Sequence, residues 1–317
     1  MVCRICGNKN NNINHMVKER IINNGAVFKY LECSKCGTLM LDQKVENIEQ
    51  WYPDNYNPFK KSIKNSEKLI IKLKRKIIFE FIIRNANEMY FQKVLTFKYL
   101  DILLKRLYGT NIKSKYSILD VGCASGHWLD LMYEMGYKNL TGVDLYYPNS
   151  NSSDKKWRFV KGDIFTINNK KYDLITLNHS FEHMENPLDV LFQVKNLLSN
   201  KGTCVISIPL KGGIAWKMFG VDFCQIDAPR HIYLYTEKSM KYLCNNVGLC
   251  IEKILYDSHG KILSLSSAYK KTSKSHRELI QNDGISLKMK TEYEKMAKES
   301  NFKHEGDQAI FYIKIKK

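Results

Sequence analysis

Hydrophobic positions change their spacing near residue 115 of this chain. Downstream, short apolar runs alternate with stretches of helical periodicity, the pattern of a parallel sheet joined by helical crossovers. "YSILDVG" (116–122) predicts a first strand and "NLTGVDLY" (139–146) a second. Trp128, Leu131, Met132 and Met135 form the apolar stripe of a helix between them. "KYDLITLNHS" (171–180) reads as a later strand. Pro187 then opens a helix whose buried face is Leu188, Leu191, Val194 and Leu198, stopped by "NKG" at 200–202. "TCVISIPL" (203–210) is the next strand. Thr236 can cap the following helix, which Gly248 ends, before strands in "CIEKILYD" and "QAIFYIKIKK". The expected fold class is therefore α/β, a parallel sheet with helical crossovers.

Upstream the pattern differs. Leu69, Leu73, Ile77 and Phe81 recur every four positions among lysines, which predicts basic amphipathic helices after the aromatic connector "WYPDNYNPF" (51–59). The 317-residue chain carries a net charge of +18, and residues 60–115 hold 15 Lys+Arg against 4 Asp+Glu. Such a segment suits either a solvated helical cap or a dock for an anionic membrane surface or phosphate-bearing partner. The longest apolar run, "IIFEFII" (77–83), is too short to span a bilayer. With no apolar leader after Met1, a cytoplasmic protein is expected, with peripheral contact at the inner membrane surface as one option.

The first residues hold "CRICG" and "LECSKCG", two Cys-x-x-Cys-Gly knuckles formed by Cys3, Cys6, Cys33 and Cys36. A two-residue gap lets both thiolates of a knuckle reach one ion, and four thiolates close a tetrahedron, so a structural Zn2+ ribbon is expected. The organisation read from the sequence is a ribbon over 1–50, connector and basic helices over 51–112, and a catalytic body over 113–317.

Between the first predicted strand and its helix, Asp120, Gly122 and Gly126 make D-x-G-x-x-x-G, and Asp144 ends the second strand. A glycine turn at a helix N-terminus followed by an acid suits a nucleoside with free ribose hydroxyls. A dinucleotide site calls for G-x-G-x-x-G. The acid two residues before the first glycine would repel a pyrophosphate and favours a cationic amino-acid ligand.

"LDVGCASG" resembles the first motif of class I S-adenosylmethionine (SAM)-dependent methyltransferases. "GVDL" resembles their second acidic motif, and "GDIF" the loop beside the adenine. The knuckles, "YP-x-x-Y" and "AWKMFGVDFCQIDAPRHIYLYTEKSM" are together similar to zinc-ribbon methyltransferases of bacterial surface-polysaccharide and sugar biosynthesis. "HGKILS" (259–264) departs from their pattern where an aromatic is expected, which bears on the substrate. The resemblance implies a Rossmann-like sheet with helices on both faces, in which Asp120, Gly122 and Gly126 surround the methionine moiety of SAM and Asp144 binds the ribose. Asp163 and Ile164 would flank adenine, with Asn178 near the sulfonium. Acceptor-side insertions fall near 211–235 and 258–306.

A hydroxyl acceptor must lose a proton, and His231 or His183 is the expected base, with His179 a further histidine beside it. Arg230 could bind a phosphate on the acceptor, and Trp216 and Phe223 could stack on its sugar ring. The expected acceptor is a sugar, a nucleotide-sugar or a lipid-linked glycan intermediate. Two other readings compete: an RNA-directed methyltransferase using the ribbon and the positive charge, and a SAM-binding scaffold without turnover. No RNA-module signature accompanies the charge, which argues against nucleic acid. Intact Asp120, Gly122 and Asp144 argue against the scaffold.

Overall fold

A computed structural model describes residues 1–52, 106–107, 110, 112–147 and 155–316. The basic helices expected over 51–112 lie almost wholly outside these residues.

The N-terminal segment forms β1 (Ile13–Lys18), β2 (Val27–Glu32) and β3 (Leu39–Leu41). The predicted strand–helix alternation follows, with β4 (Ile118–Val121), α1 (His127–Glu134), β5 (Leu140–Asp144) and β6 (Arg158–Lys161). Next come β7 (Tyr172–Asn178), α2 (Pro187–Leu197) and β8 (Leu198–Pro209). The chain continues through α3 (Ile214–Phe219), β9 (Tyr233–Leu234), α4 (Glu237–Asn246) and β10 (Leu249–Tyr256). It finishes with α5 (Gly260–Lys271), α6 (His276–Gln281), α7 (Leu287–Phe302) and β11 (Gln308–Ile315).

One sheet has the order β10-β11-β8-β7-β4-β5-β6. Strand order reverses at β4, whose neighbours β5 and β7 both run parallel to it. This is a Rossmann-like α/β fold, and the reversal marks the carboxyl end of β4 as the position where such sheets bind ligands. All four β4 residues are buried, as a central strand covered on both faces requires.

The chain divides into two compact units. One comprises Asn55–Asn178, Asp189–Ile206 and Tyr312–Lys317. Its core includes Ile118, Leu119, Leu129, Met132, Val143 and Ile175. Helix α2 ends at Leu197 and β8 begins at once, so "NKG" lies inside the strand rather than in a turn. A Cβ at Gly202 would stand 2.9 Å from the Tyr172 carbonyl oxygen, and glycine there lets two strands approach closely.

The other unit comprises Met1–Asp54, His179–Leu188 and Ser207–Phe311. Its second sheet has the order β1-β2-β3-β9, so the knuckle-bearing hairpins take their fourth strand from residues 233–234. The pairing sets Leu39 opposite Leu234 and Met40 opposite Tyr233. One apolar core joins Val17, Phe28, Tyr30 and Leu39 with Phe223, Leu234, Ile262 and Tyr293. The segment 258–306 is mostly helical, as its capping signals allow: Ser275 and Ser286 each accept a backbone N–H in the first turns of α6 and α7. Thr236 and Ser239 form a reciprocal capping box on α4. Among the described residues no helix is long and apolar enough to cross a membrane.

Candidate active site

Asp120 lies on β4 with Gly142 and Thr176 as its cross-strand neighbours. That register delivers the Thr176 hydroxyl to Asp120 Oδ1 at 2.7 Å, and Asn178 Nδ2 donates to the same oxygen at 3.1 Å. Burial pushes the Asp120 carboxyl up to about 6, against the pull of Arg106 and these two donors. Asn178 Oδ1 is buried and has no hydrogen-bond partner.

The turn after β4 places Gly122, Ala124 and Gly126 at φ 71°, 47° and 74°. Asp144 fastens this turn: its carboxylate accepts from Ala124 N at 2.8 Å, Tyr146 N at 2.9 Å and Tyr147 N at 2.8 Å. Gly126 is required twice over. It N-caps α1 in the left-handed region, and a Cβ there would lie 2.0 Å from Trp157 Cζ2. The indole is fixed by its own donation to Asp130 at 2.8 Å.

These groups fit SAM. A buried carboxylate and an orphan amide oxygen suit an α-ammonium group, and Asp144 retains acceptor capacity for ribose hydroxyls. A pyrophosphate would meet two acids. The adenine-side expectation changes in detail. Asp163 is exposed, but its carboxylate caps the short turn 164–166 by accepting from Phe165 N and Thr166 N. Ile164 is 1% exposed and belongs to the core, whereas the Phe165 ring is 51% exposed. Phe165 is thus the half-exposed aromatic of this loop.

In the other unit, Glu182, His183 and His231 form a cluster whose potential ligand atoms lie within 4.8 Å of one another. His183 and His231 meet edge to face, with ring centroids 4.7 Å apart. His183 Nδ1 donates to the Arg230 carbonyl and His231 Nδ1 to the Gln225 carbonyl, both at 2.8 Å. Burial, reinforced by His183, depresses His231 to about 4 despite the opposing pull of Asp227 and Glu182, so it is a neutral imidazole at pH 7. Burial raises the Glu182 carboxyl, but His179, His231 and His183 overcome this and hold it below its usual range. His179 Nδ1 lies 3.3 Å from Glu182 Oε1, and its side chain is 44% exposed. The His179 backbone is left-handed, φ 46°, a conformation uncommon outside glycine.

Two acceptor-side expectations, Arg230 and Phe223, need correction. Arg230 is 1% exposed and ion-paired to Asp227 at 2.8 Å and Glu19 at 2.9 Å, with a further bond to the Trp51 carbonyl. Its guanidinium ties the "PRH" segment to the N-terminal hairpins and presents nothing to a phosphate. Phe223 is 1% exposed within the apolar core. Trp216 is half-buried against His15 and Lys211. A salt bridge to Asp227 was the alternative reading of Arg230 in the sequence, and it is the one found; Glu19, far away along the chain, gave no signal there. The signal for Glu182 was present in the three-residue spacing of His179 and Glu182 on one turn.

The four knuckle cysteines also converge. Cys3 and Cys36 Sγ are 3.6 Å apart, as are Cys6 and Cys33 Sγ. Four sulfurs at about 2.3 Å from one zinc stand ~3.8 Å apart in a tetrahedron, so the geometry fits Zn2+. Disulfide sulfurs would be at about 2.05 Å.

A family model described as a methyltransferase domain matches residues 93–254, just over half of the 317-residue chain. No curated protein matches. Among solved structures, the chain is similar to a SAM-dependent methyltransferase from Archaeoglobus fulgidus at 18% identity and TM-score 0.43, covering 75% of this chain and 97% of that one. It is similar to geranyl diphosphate methyltransferase in complex with SAM at 12% identity and TM-score 0.46, covering 73% and 92%. A third is mycolic acid cyclopropane synthase complexed with SAH (S-adenosylhomocysteine) and CTAB, at 16% identity and TM-score 0.46, covering 70% and 86%.

Proposed function

The chain belongs to the methyltransferase-domain family, and on that premise we propose that it methylates a hydroxyl of a sugar or glycan-biosynthesis intermediate, with SAM as donor. The observation that carries a hydroxyl acceptor is the Glu182–His183–His231 cluster. Proton-accepting groups matter only where the acceptor must give up a proton, and an O–H must.

When bound, SAM supplies an electrophilic methyl group on a sulfonium. Asp120 and Asn178 would hold the α-amino end, Asp144 the ribose diol, and Phe165 beside Asp163 the adenine. The glycine turn leaves room for close backbone approach. Displacement at the methyl group needs the acceptor oxygen in line and close, so positioning supplies most of the acceleration. His231, neutral at pH 7, or His183 would take the hydroxyl proton. The sugar class rests on the sequence resemblance alone, because buried Arg230 gives no support to a phosphate-bearing carrier. A lipid-linked acceptor would suit the basic segment 51–112, which could rest on an anionic membrane surface. Zn2+ at Cys3, Cys6, Cys33 and Cys36 would be structural.

Calorimetry with SAH and with NADH, on wild type and Asp144→Ala, tests the cofactor reading. Micromolar SAH binding, weakened at least tenfold by the substitution, is expected. Binding of NADH without SAH would overturn it. A screen of nucleotide sugars for SAH release then tests the acceptor class.

A further inference from the structure

We propose that Glu182, His183 and His231 form a divalent-cation site that receives the acceptor oxygen. The proposal rests on the hydroxyl-acceptor reading for its purpose, and on independent geometry for its existence.

Each imidazole is oriented by a carbonyl that can only accept: Arg230 O for His183 Nδ1 and Gln225 O for His231 Nδ1, both at 2.8 Å. The proton is therefore fixed on Nδ1 in both rings, which leaves each Nε2 with a free lone pair. This is the arrangement by which proteins prepare histidines as metal ligands. Glu182 completes the set. It is 0% exposed, and neither carboxylate oxygen has a hydrogen-bond partner. A buried anion in that condition is costly unless something cationic meets it. The nearest nitrogens are His179 Nδ1 at 3.3 Å and His231 Nε2 at 3.9 Å from Oε1. Ligands of a six-coordinate ion at about 2.1 Å stand ~3.0 Å apart when adjacent and ~4.2 Å apart when opposed, and the 3.9 Å between Glu182 Oε1 and His231 Nε2 falls between these.

The support behind the ligands is also built. The residue whose carbonyl orients His183 is Arg230, itself locked by Asp227 and Glu19. Tyr30 Oη donates to the His231 carbonyl at 2.8 Å.

Two imidazoles and one carboxylate suit a first-row divalent ion and leave coordination positions open. An acceptor hydroxyl bound there becomes more acidic. With both imidazoles ligating, neither serves as the base: the O–H proton leaves to solvent through exposed His179, the O–CH3 bond forms as the S–CH3 bond breaks, and SAH departs. The ion remains divalent. An acceptor with a second oxygen next to the reacting hydroxyl would chelate, which selects vicinal diols.

The test uses Mn2+, a probe with little preference for the four-cysteine site, on zinc-loaded full-length protein followed by electron paramagnetic resonance. About one bound Mn2+ per chain is expected, with hyperfine coupling to imidazole nitrogen. Affinity should fall at least tenfold in Glu182→Gln and in His231→Gln. Mn2+ should raise the melting temperature of wild type and of neither variant. No Mn2+ bound at millimolar concentration, or coupling that survives in both variants, overturns the proposal. SAH binding is measured on the same samples. Intact SAH binding without Mn2+ sinks the cation site alone; Mn2+ binding without SAH binding leaves the site standing and sinks the methyl-donor reading.

Discussion

Replacing Asp120 with asparagine should stabilise the empty protein while weakening its grip on the donor. Among the described residues, two hydrogen bonds reach this side chain, from Thr176 and Asn178, and both arrive at Oδ1. An asparagine Oδ1 can accept both, so the substitution removes charge with little change of shape. The carboxyl is raised to about 6 from an ordinary 3.8. At roughly 1.4 kcal/mol per pH unit, ionised Asp120 costs the fold up to about 3 kcal/mol at neutral pH. The sign follows from proton uptake: between those two values the folded state binds more protons than the unfolded state. Stability contributed by Asp120 is thus full below about 3.8, declines as pH rises, and is gone above about 6. Urea unfolding of wild type and Asp120→Asn from pH 4 to 7.5 would measure the difference directly, cancelling other titrating groups such as Asp307. The variant should gain on wild type as pH rises and then hold level. SAH binding should behave oppositely: in wild type it strengthens as pH rises through about 6 and an ammonium partner meets the ionised carboxylate, and in the variant it is weak throughout. A stability difference that stays flat across this range would refute the burial argument. Unchanged SAH affinity in Asp120→Asn would remove Asp120 from the donor site.

Other outcomes can be checked more briefly. Zinc analysis of freshly purified reduced protein should give one ion per chain, and Cys33→Ser should lose it with a marked drop in melting temperature. SAH affinity should survive that change, because Asp120 and Asp144 belong to the other compact unit. Gly126→Ala places a methyl group against the Trp157 indole in a left-handed residue and should cost about 2 kcal/mol or more, read by urea unfolding together with weaker SAH binding. Arg230→Ala strands Asp227 and Glu19 and should destabilise by ~3–5 kcal/mol, whereas a cleft arginine that only bound substrate would leave stability nearly unchanged.

The glycine turn after β4 was legible in the sequence because its signals are local. A strand, a left-handed glycine turn and a helix N-terminus occupy consecutive residues, so Asp120, Gly122 and Gly126 could be named from spacing, and Asp144 from the next strand. The acceptor side was not legible in the same way. Arg230, Phe223 and Trp216 stand in the most distinctive segment of the chain, but a segment's distinctiveness does not say which side chains turn inward. Arg230 is buried against Glu19, 211 positions away, and Phe223 shares its core with Tyr30. Ile164 and Phe165 show the same limit on a smaller scale: both are large and apolar, and only packing decides which ring or branch stays free. "NKG" misled because turn-prone residues also serve where strands crowd.

The four-stranded sheet that closes with β9 sets a rule for anyone recombining this protein. A boundary drawn after residue 50, where the cysteine-bearing segment looks finished, would cut a sheet through its β3–β9 edge and orphan the partners of Arg230. Residues 1–52 and the stretch around 225–240 are therefore one heritable part. A chimera that exchanges either piece must carry both from the same parent.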